Sequence, residues 1–503
     1  MGMHRFSVLS CVLLMACTPL APGGDVLRDA GVMDGSQDPS DEDGSAPGDD
    51  GEVTEPDAVT PCPPLAAREK RRFERAELTE DSHWSCRYDY EIEGHLVVSK
   101  GTLQIDPGVR VLAERGAFLL VGSAARLVAV GTPEQPIVFT AAQRPAKPGA
   151  FRGLFMLGLA DTSLPNSATL GLPAGDARAV YGGGDDDHDC GELRYVRIEF
   201  AGGPANEYDF PAAGLTLAGC GRKTRVESVQ VHAATDGIGL IGGTVPLKRV
   251  LVSAPSADGI EWTAGYRGLL QFAVVQMFYG AGAALKGSGS LADPAAVPLS
   301  APFVYNATLV GALSQGLKDG PVDPNGFETG MLLQAGSGAV ILNSLLFGFA
   351  GSWFDVVGER TAQLFRTDSQ VASTIFADSE PRRSPGFPSG GIEPGDGEDD
   401  DANFSEDMRL RDTNLANRFF EGVLNLRAPF ARPPERPDFS ADGLVDGGNL
   451  RDSAPPGWAD LWEPAFYAGA FPKIQFESER SSDWTASSPG EDADEKWTSF
   501  PSD

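Results

Sequence analysis

Residues 236–252 read DGIGLIGGTVPLKRVLV, and residues 258–274 read DGIEWTAGYRGLLQFAV. The second stretch repeats the first at an offset of 22 residues. Six positions coincide: Asp236, Gly237, Ile238, Gly243, Val250 and Val252 return as Asp258, Gly259, Ile260, Gly265, Phe272 and Val274. A unit of this length holds two or three short strands and cannot bury its apolar face alone. Successive units must therefore stack.

Short β-branched runs separated by Gly, Asp, Asn and Pro extend this pattern in both directions, and stacked coils would place equivalent residues about 4.8 Å apart. The pattern predicts an all-β fold, a right-handed parallel β-helix of the pectin-lyase type. A β-propeller or a sandwich is the alternative, but the period is too short for a four-stranded blade. The predicted strands are Leu96–Ile105, Val109–Val121, Leu127–Thr140, Leu193–Phe200, Leu215–Leu217, Val226–Val231, Val250–Ser253, Gln271–Val275, Val304–Val310, Met331–Leu333, Ala339–Phe347 and Gln363–Ile375.

The composition agrees with a turn-rich fold and limits the partners. The 503 residues include 61 Gly and 38 Pro, about a fifth of the chain, which argues against an all-α fold. The formal net charge of -31 argues against a phosphate-binding surface and therefore against nucleic acid.

The N-terminus predicts export and a lipid anchor. An apolar run, Val8–Ala16, follows a short basic start and ends in Leu14-Met15-Ala16-Cys17. This string resembles the lipobox of bacterial lipoproteins, which implies cleavage before Cys17 and attachment of fatty acyl chains such as palmitate to that residue. Several acyl chains hold a protein on a membrane. Thr18 after the cysteine implies the outer membrane or the cell surface.

The predicted organisation has five parts. Residues 1–16 form a lipoprotein signal peptide. Residues 17–61 form the lipidated cysteine and a disordered tether, because twelve acidic residues stand against the single Arg28 with no aromatic ring. An N-terminal cap at 62–93, the parallel β-helix at 94–380 and a loop-rich C-terminal cap at 381–503 complete the chain, and Asp407–Leu426 could add a short helix.

Four cysteines remain after Cys11 and Cys17 are assigned to the leader and the anchor: Cys62, Cys86, Cys190 and Cys220. An even number in an oxidising compartment predicts two disulfides. Proximity in the sequence favours the pairs Cys62–Cys86 and Cys190–Cys220, although four cysteines allow three pairings. No CxxC spacing indicates a zinc site.

Several strings are similar to a family of β-helix lipoproteins from Gram-negative bacteria. The region of similarity runs from about Leu78 to Ala470, and the family's Gly before the last Trp is Lys496 here. The resemblance implies the fold and an envelope location and no particular activity. The strings are GTLQIDPGV at 101–109, RLVAVGTPEQPIVFT at 126–140, LRYVRIEFAG at 193–202, GLTL at 214–217, GGTV at 242–245 and YAGAF at 467–471.

Two acidic groups are candidate sites. Asp236 and Asp258 would stack within about 5 Å on adjacent coils, with Glu261 near the same edge, and could bind a cation or carbohydrate. Arg249 or Arg267 would be the base of a lyase site, whereas an Asp-Gly turn that caps its own backbone is the structural alternative. A second cluster, Asp185, Asp186, Asp187 and Asp189 around His188, has the oxygen ligands that calcium prefers, or is a solvated insertion.

Other signals are weaker. Glu199, Glu207 and Glu328 could supply the two carboxylates of a glycoside hydrolase, although no motif pairs them. Trp262, Tyr266, Phe278 and Tyr279 could stack on sugar rings or face inward. The sequence therefore favours a lipid-anchored, non-enzymatic envelope or adhesion module that binds polysaccharide or a surface protein, with calcium as a possible cofactor. A polysaccharide lyase or glycoside hydrolase on the same fold is the alternative.

Overall fold

The computed structural model describes residues 62–165, 168–173, 175–203, 211–278, 282–312, 328–349, 351–378, 401, 404–421, 426–430, 438–441, 450 and 453–471. Within these residues the chain is a right-handed parallel β-helix, as the repeat predicts, and 28 strands join one continuous parallel sheet. The predicted signal peptide, Cys17 and the predicted acidic tether lie outside the described residues.

The strands are short, because each coil turns after two to six residues in most places. The first ten are β1 (Glu69–Leu78), β2 (Ser82–Trp84), β3 (Tyr88–Val98), β4 (Gly101–Ile105), β5 (Arg110–Ala113), β6 (Phe118–Val121), β7 (Ala125–Val130), β8 (Ile137–Ala141), β9 (Gly153–Leu157) and β10 (Gly191–Glu199). The next ten are β11 (Ala213–Ala218), β12 (Arg225–His232), β13 (Asp236–Ile241), β14 (Leu247–Lys248), β15 (Leu251–Ser253), β16 (Ile260–Thr263), β17 (Leu269–Gln271), β18 (Val274–Gln276), β19 (Ala283–Ser288) and β20 (Phe303–Tyr305).

The last strands follow the same spacing until the C-terminal region. They are β21 (Thr308–Val310), β22 (Thr329–Gln334), β23 (Val340–Leu342), β24 (Leu345–Phe347), β25 (Phe354–Val356), β26 (Gln370–Ala372), β27 (Ile375–Asp378), β28 (Arg418–Glu421), β29 (Leu426–Ala428) and β30 (Asp438–Ala441). Two short helices are α1 (Glu359–Thr367) and α2 (Glu406–Leu410). Strands β29 and β30 form a separate antiparallel pair.

Three parallel ladders run along the β-helix. The first ladder stacks β9, β11, β13, β16, β19, β22 and β25. The second ladder stacks β12, β14, β17, β20, β23 and β26. The third ladder stacks β12, β15, β18, β21, β24, β27 and β28.

The core consists of columns of like residues. Ile238 pairs with Ile260, which pairs with Leu285, and all three are buried. Because side chains alternate along a strand, the residues between these core positions point outward from the ladder. The alternation fixes which residues of the repeat can meet a ligand.

The repeat length is not uniform within a coil. In the first ladder, strands β13 and β16 pair at an offset of 22 residues, the separation of Asp236 and Asp258. In the third ladder the offset is 23 residues, because Val252 pairs with Val275. The predicted alignment of Val252 with Val274 is therefore wrong by one residue. The extra residue lies in the turn between β16 and β17, where it leaves the column of core residues intact.

A column of residues with positive φ makes the corner between the second and third ladders. Ser228, Arg249, Phe272, Asn306 and Asn343 occupy this corner in successive coils, with φ between 52° and 60°. The left-handed conformation costs a residue with a Cβ about 1 to 2 kcal/mol. Phe272 therefore belongs to a corner and not to the strand that the sequence predicts from Gln271 to Val275.

Other boundaries differ from the prediction. Strand β1 already pairs in parallel with β3, so residues 69–93 belong to the ladder and not to a separate cap. The first residues of the predicted strand Gln363–Ile375 belong to helix α1 instead. Ala362 and Phe365 lie three residues apart and are both buried, which is the spacing of one helix face. Among the described residues of the helix predicted at Asp407–Leu426, only those up to Leu410 belong to an α-helix, α2, and Arg418–Glu421 form strand β28.

The two ends of the β-helix are protected differently. At the N-terminal edge β1 is mostly charged and exposed, which discourages pairing with another chain. At the other end Phe404 and Leu410 pack on the core below the last coil. Residues 453–471, here called the C-terminal strap, do not cover that end as predicted but run along the side of the coils from Arg222 to Asn343.

Both disulfides have the pairing that proximity favours. Cys62 is bonded to Cys86, and Cys190 is bonded to Cys220. Disulfides persist in oxidising compartments, so the protein is extracellular or periplasmic. No helix in the described part of the chain is long and apolar enough to cross a membrane.

Candidate functional site

The outer side of the first ladder carries a row of polar residues in register. Thr216 of β11 pairs with Gly239, which pairs with Glu261, which pairs with Lys286 of β19. Thr216, Gly239 and Glu261 each lie between two core residues, and Lys286 follows the core residue Leu285, so this row is on the outer side of the ladder. This row, together with Asp236 and Asp258 at the start of the same strands, is called the Glu261 face.

Asp236 and Asp258 tie successive coils together. An Oδ1 atom of Asp236 accepts a hydrogen bond from the backbone N–H of Asp258 at 2.9 Å, and Oδ1 of Asp258 accepts one from Ala283 at 2.9 Å. The structural alternative was an Asp that caps its own backbone, but both of these carboxylates accept from the backbone of the next coil instead. Burial, followed by the charge of Asp258, raises the pKa of Asp236.

Lys286 is the cation of the face. Its Nζ lies 2.6 Å from Oδ2 of Asp258. Burial alone would lower the pKa of Lys286, but the Asp258 carboxylate outweighs that effect and raises it, so the side chain stays protonated at neutral pH.

Glu261 is the group that these charges affect most. Its side chain is half-buried, and burial together with the charges of Asp236 and Asp258 raises its pKa to about 7, against the opposing charge of Lys286. In the described part of the chain its carboxyl group has no hydrogen bond or ion pair. Glu261 can therefore gain or lose a proton near neutral pH.

A gap in the row lies beside Glu261 because Gly239 has no side chain. A Cβ placed there would lie 3.2 Å from the Cβ of Ala213 and 3.7 Å from both Oε1 of Glu261 and Oγ1 of Thr216, so the space would barely hold a methyl group. Thr216 is fully buried, and its hydroxyl has no hydrogen-bond partner among the described residues. A buried polar group without a partner costs about 1 to 3 kcal/mol, so the Thr216 hydroxyl is a local cost to the fold and not an exposed contact for a ligand.

The Glu261 face combines three of the predicted residues and excludes the predicted bases. Asp236, Asp258 and Glu261 do lie together, as the 22-residue repeat predicts. Arg249 instead binds Glu463, and Arg267 binds Asp186 at 2.8 Å. Lys286 and Thr216 were missed, although their place in the row follows from the strand register.

The second predicted cluster is dispersed over separate partners. Asp186 binds Arg267, and its Oδ1 accepts from the N–H of Asp161 at 3.1 Å. The remaining three pair elsewhere: Asp189 with Arg126 at 2.5 Å, Asp187 with Lys223 at 3.5 Å and Asp185 with His188 at 3.8 Å. Burial lowers the pKa of His188, whose Nε2 has no partner in the described region.

No group of three or more His, Cys, Asp or Glu side chains among the described residues could hold a metal ion. The geometry thus gives no support to calcium at Asp185, Asp186, Asp187 and Asp189, or at Asp236, Asp258 and Glu261. Each of these loops is instead held by hydrogen bonds and ion pairs within the chain.

The acids suggested for glycoside hydrolysis do not meet. Glu199 is buried and paired with Arg197. Glu328 is also fully buried, and its Oε1 accepts from the N–H of Ala312 at 2.7 Å. Glu207 lies outside the described residues.

The suggested stacking aromatics mostly face inward. Trp262 is buried and donates from Nε1 to Oγ of Ser337 at 3.0 Å. Tyr266 is fully buried and donates to the carbonyl of Val245 at 2.8 Å. Phe278 is half-buried, and Tyr279 lies outside the described residues.

The comparison with known families agrees with this architecture. A family model described as a pectate-lyase like beta helix domain matches residues 76–384, more than half of the chain. No curated protein and no solved structure gives a significant match. The chain belongs to the family of pectate-lyase-like β-helix domains.

Proposed function

We propose that this protein is a lipid-anchored envelope protein that binds a polysaccharide on the Glu261 face without cleaving it. The N-terminal string that ends in Cys17 supports the anchor, and the two disulfides support export. A chain of sugars is a suitable ligand because Glu261 and Lys286 place an acceptor and a donor on successive coils, about 4.8 Å apart along the β-helix.

One observation carries the proposal. Asp236 and Asp258 are engaged in inter-coil hydrogen bonds, whereas the half-buried carboxyl group of Glu261 has no hydrogen bond or ion pair among the described residues. An unsatisfied group of this kind is available to a ligand. Hydrolysis would need a second available carboxyl group, and the described residues of this face do not offer one.

In the test, the disulfide-intact full chain is mixed with each of a panel of neutral and uronate polysaccharides. Binding is detected as a change in the melting temperature of the protein. A ligand that binds only the folded state raises it. Wild type should respond to at least one polymer, and Glu261→Gln should reduce the affinity for that polymer about fivefold. Glu134→Gln, at an exposed position away from the face, is the control.

Two results would contradict this function. One is the absence of any response of wild type across the panel. The other is equal affinity of wild type and Glu261→Gln for a polymer that does bind, because that polymer would then use another surface.

The lipid anchor is tested separately. Cys17→Ser should release the protein from the membrane fraction and abolish incorporation of labelled palmitate. Retention of the variant in that fraction would contradict the anchor and leave the binding proposal unaffected.

A polysaccharide lyase is the second candidate, favoured by the pKa of about 7 at Glu261 and the adjacent Lys286. The ammonium of Lys286 would pair with a uronate carboxylate while Glu261 takes the C5 proton. The C4–O bond then breaks, a C4=C5 double bond forms and the leaving oxygen takes a proton from water. Ultraviolet absorbance of the unsaturated product, lost in Glu261→Gln, would favour this enzyme over the binding protein.

A further inference from the structure

A cleft of about 270 Å³ lies where the C-terminal strap crosses the outer side of β12, β14 and β17. It belongs to the second ladder and is separate from the Glu261 face. Small-molecule sites occupy roughly 300 Å³ or more, so this cleft has room for about one sugar-sized ring.

The strap that forms one wall of the cleft is fixed at several points. Glu463 is held by Lys248 at 2.7 Å and by Arg249, and its backbone N–H and carbonyl both bond to the amide of Gln271. Further along, Asn306 donates to the carbonyl of Tyr467 at 2.7 Å. The cleft is therefore preformed, which lowers the entropy cost of binding.

One side of the cleft is apolar and aromatic. Leu269 comes from the ladder, and Leu461 and Trp462 of the strap pack against it. The ring of Trp462 packs edge-on against Tyr305, with the ring centroids 4.5 Å apart. An indole held in this way offers a surface for the C–H face of a sugar ring.

The polar side of the cleft carries charges of both signs, with one more carboxylate than cations. Two cations, Arg225 and Lys248, stand against the carboxylates of Glu227, Asp460 and Glu463. Arg225 lies 3.5 Å from Glu227. These groups both donate and accept hydrogen bonds, which suits hydroxyl groups and does not attract a phosphate or a carboxylate.

The indole of Trp462 also has an unused donor. Its Nε1 is buried and has no acceptor among the described residues. An entirely apolar ligand would leave this donor unpaired, whereas a ring oxygen or hydroxyl could accept from it.

We propose that this cleft binds one neutral sugar residue through Trp462 on the strap and the charged side chains of β12 and β14. The site lies on a different ladder from Glu261 and does not depend on the proposed function. It would let the strap hold a terminal or branching residue of a glycan.

The experiment uses the disulfide-intact full chain and a panel of neutral methyl glycosides, with glucuronate and inorganic phosphate as charged probes. Binding is measured by saturation-transfer NMR and calorimetry. Trp462→Phe keeps a ring and removes the N–H, so it should weaken binding of the preferred glycoside about fivefold. Trp458→Phe is the matched control, because Trp458 belongs to the strap but not to the lining of the cleft.

The expected pattern is binding of a neutral glycoside by wild type, Trp458→Phe and Glu261→Gln, with a deficit only in Trp462→Phe. Lack of binding of every neutral glycoside would overturn the proposal. So would stronger binding of glucuronate or phosphate, or an equal deficit in both tryptophan variants, since an equal deficit means a loosened strap. The melting temperatures of all variants establish that each is folded.

Discussion

At the scale of single residues, Glu261 makes the fold sensitive to pH. Its folded pKa of about 7 lies above the ordinary value of 4.5, so ionisation costs more in the folded state than in the unfolded chain. The stability it confers is fully present below pH 4.5 and is lost as the pH rises through about 7.

Glu261→Gln removes this ionisation. We compare the free energy of unfolding of the variant with that of wild type. As the pH is raised from about 4.5 to about 7.5, this difference should shift in favour of the variant by about 2 kcal/mol, after allowance for the partial exposure of the side chain. Urea unfolding at several pH values measures the difference. A difference that does not change with pH would contradict the raised pKa of Glu261, and Glu134→Gln, at an exposed position, is measured alongside as the control.

At position 287 the core has no room for a side chain, so a glycine is required there. A Cβ at this position would lie 2.6 Å from the ring of Trp262, which is buried. Gly287→Ala should therefore destabilise the protein by about 1 to 3 kcal/mol, the usual cost of overpacking. Gly184→Ala is the control, because a Cβ there meets no atom within 4 Å. Equal unfolding midpoints for the two variants in urea would show that Trp262 can move aside.

At the scale of strands and coils, the Asp258 carboxylate connects β16 to β19. It accepts from the N–H of Ala283 and binds Lys286. Asp258→Ala would leave both donors without this partner, so we expect a loss of about 2 to 3 kcal/mol in the free energy of unfolding.

The matched control for Asp258→Ala is Asp187→Ala. Asp187 is an exposed partner of Lys223 at 3.5 Å, and exposed ion pairs contribute at most about 1 kcal/mol. Chemical unfolding at neutral pH compares the two. A loss at Asp258 no larger than that at Asp187 would argue against a structural role for the inter-coil hydrogen bond.

At the scale of the whole molecule, the strap joins coils that are far apart along the β-helix. Burial opposes ionisation of Glu463, but hydrogen bonds from Arg249 and Lys248 outweigh it and lower the pKa of this carboxyl. A lowered folded pKa stabilises the protein above pH 4.5, and that contribution is lost as the pH falls through the folded pKa.

Glu463→Gln should therefore cost about 1 kcal/mol at pH 7, a modest value because the side chain is partly exposed and screened. The deficit should shrink as the pH falls below about 4.5. Thermal unfolding across this range measures it, with Glu114→Gln at an exposed turn as the control. A deficit that stays constant into acid would indicate lost packing of the strap and not a lost charge.

Much of the fold was predictable because local patterns decide it. The Asp-Gly-Ile repeat and the apolar alternation specify stacked coils, and Asp236, Asp258 and Glu261 were expected on one edge for that reason. The corner at Phe272 was not predictable, because a change of one residue in turn length does not alter the apolar alternation. Helix α1 was not predictable either, because a short amphipathic helix has a sequence similar to that of a strand.

The sequence alone determined the β-helix and the proximity of the three acids, because the strand period and the repeat offset are local properties of the chain. Only the tertiary structure decided that Lys286 joins those acids, that Thr216 lacks a partner and that Trp462 covers a cleft against β14. These contacts depend on the register of strands and on a strap that returns over coils some 200 residues earlier, as with Lys248 and Leu461, 213 residues apart. No local pattern encodes such a return.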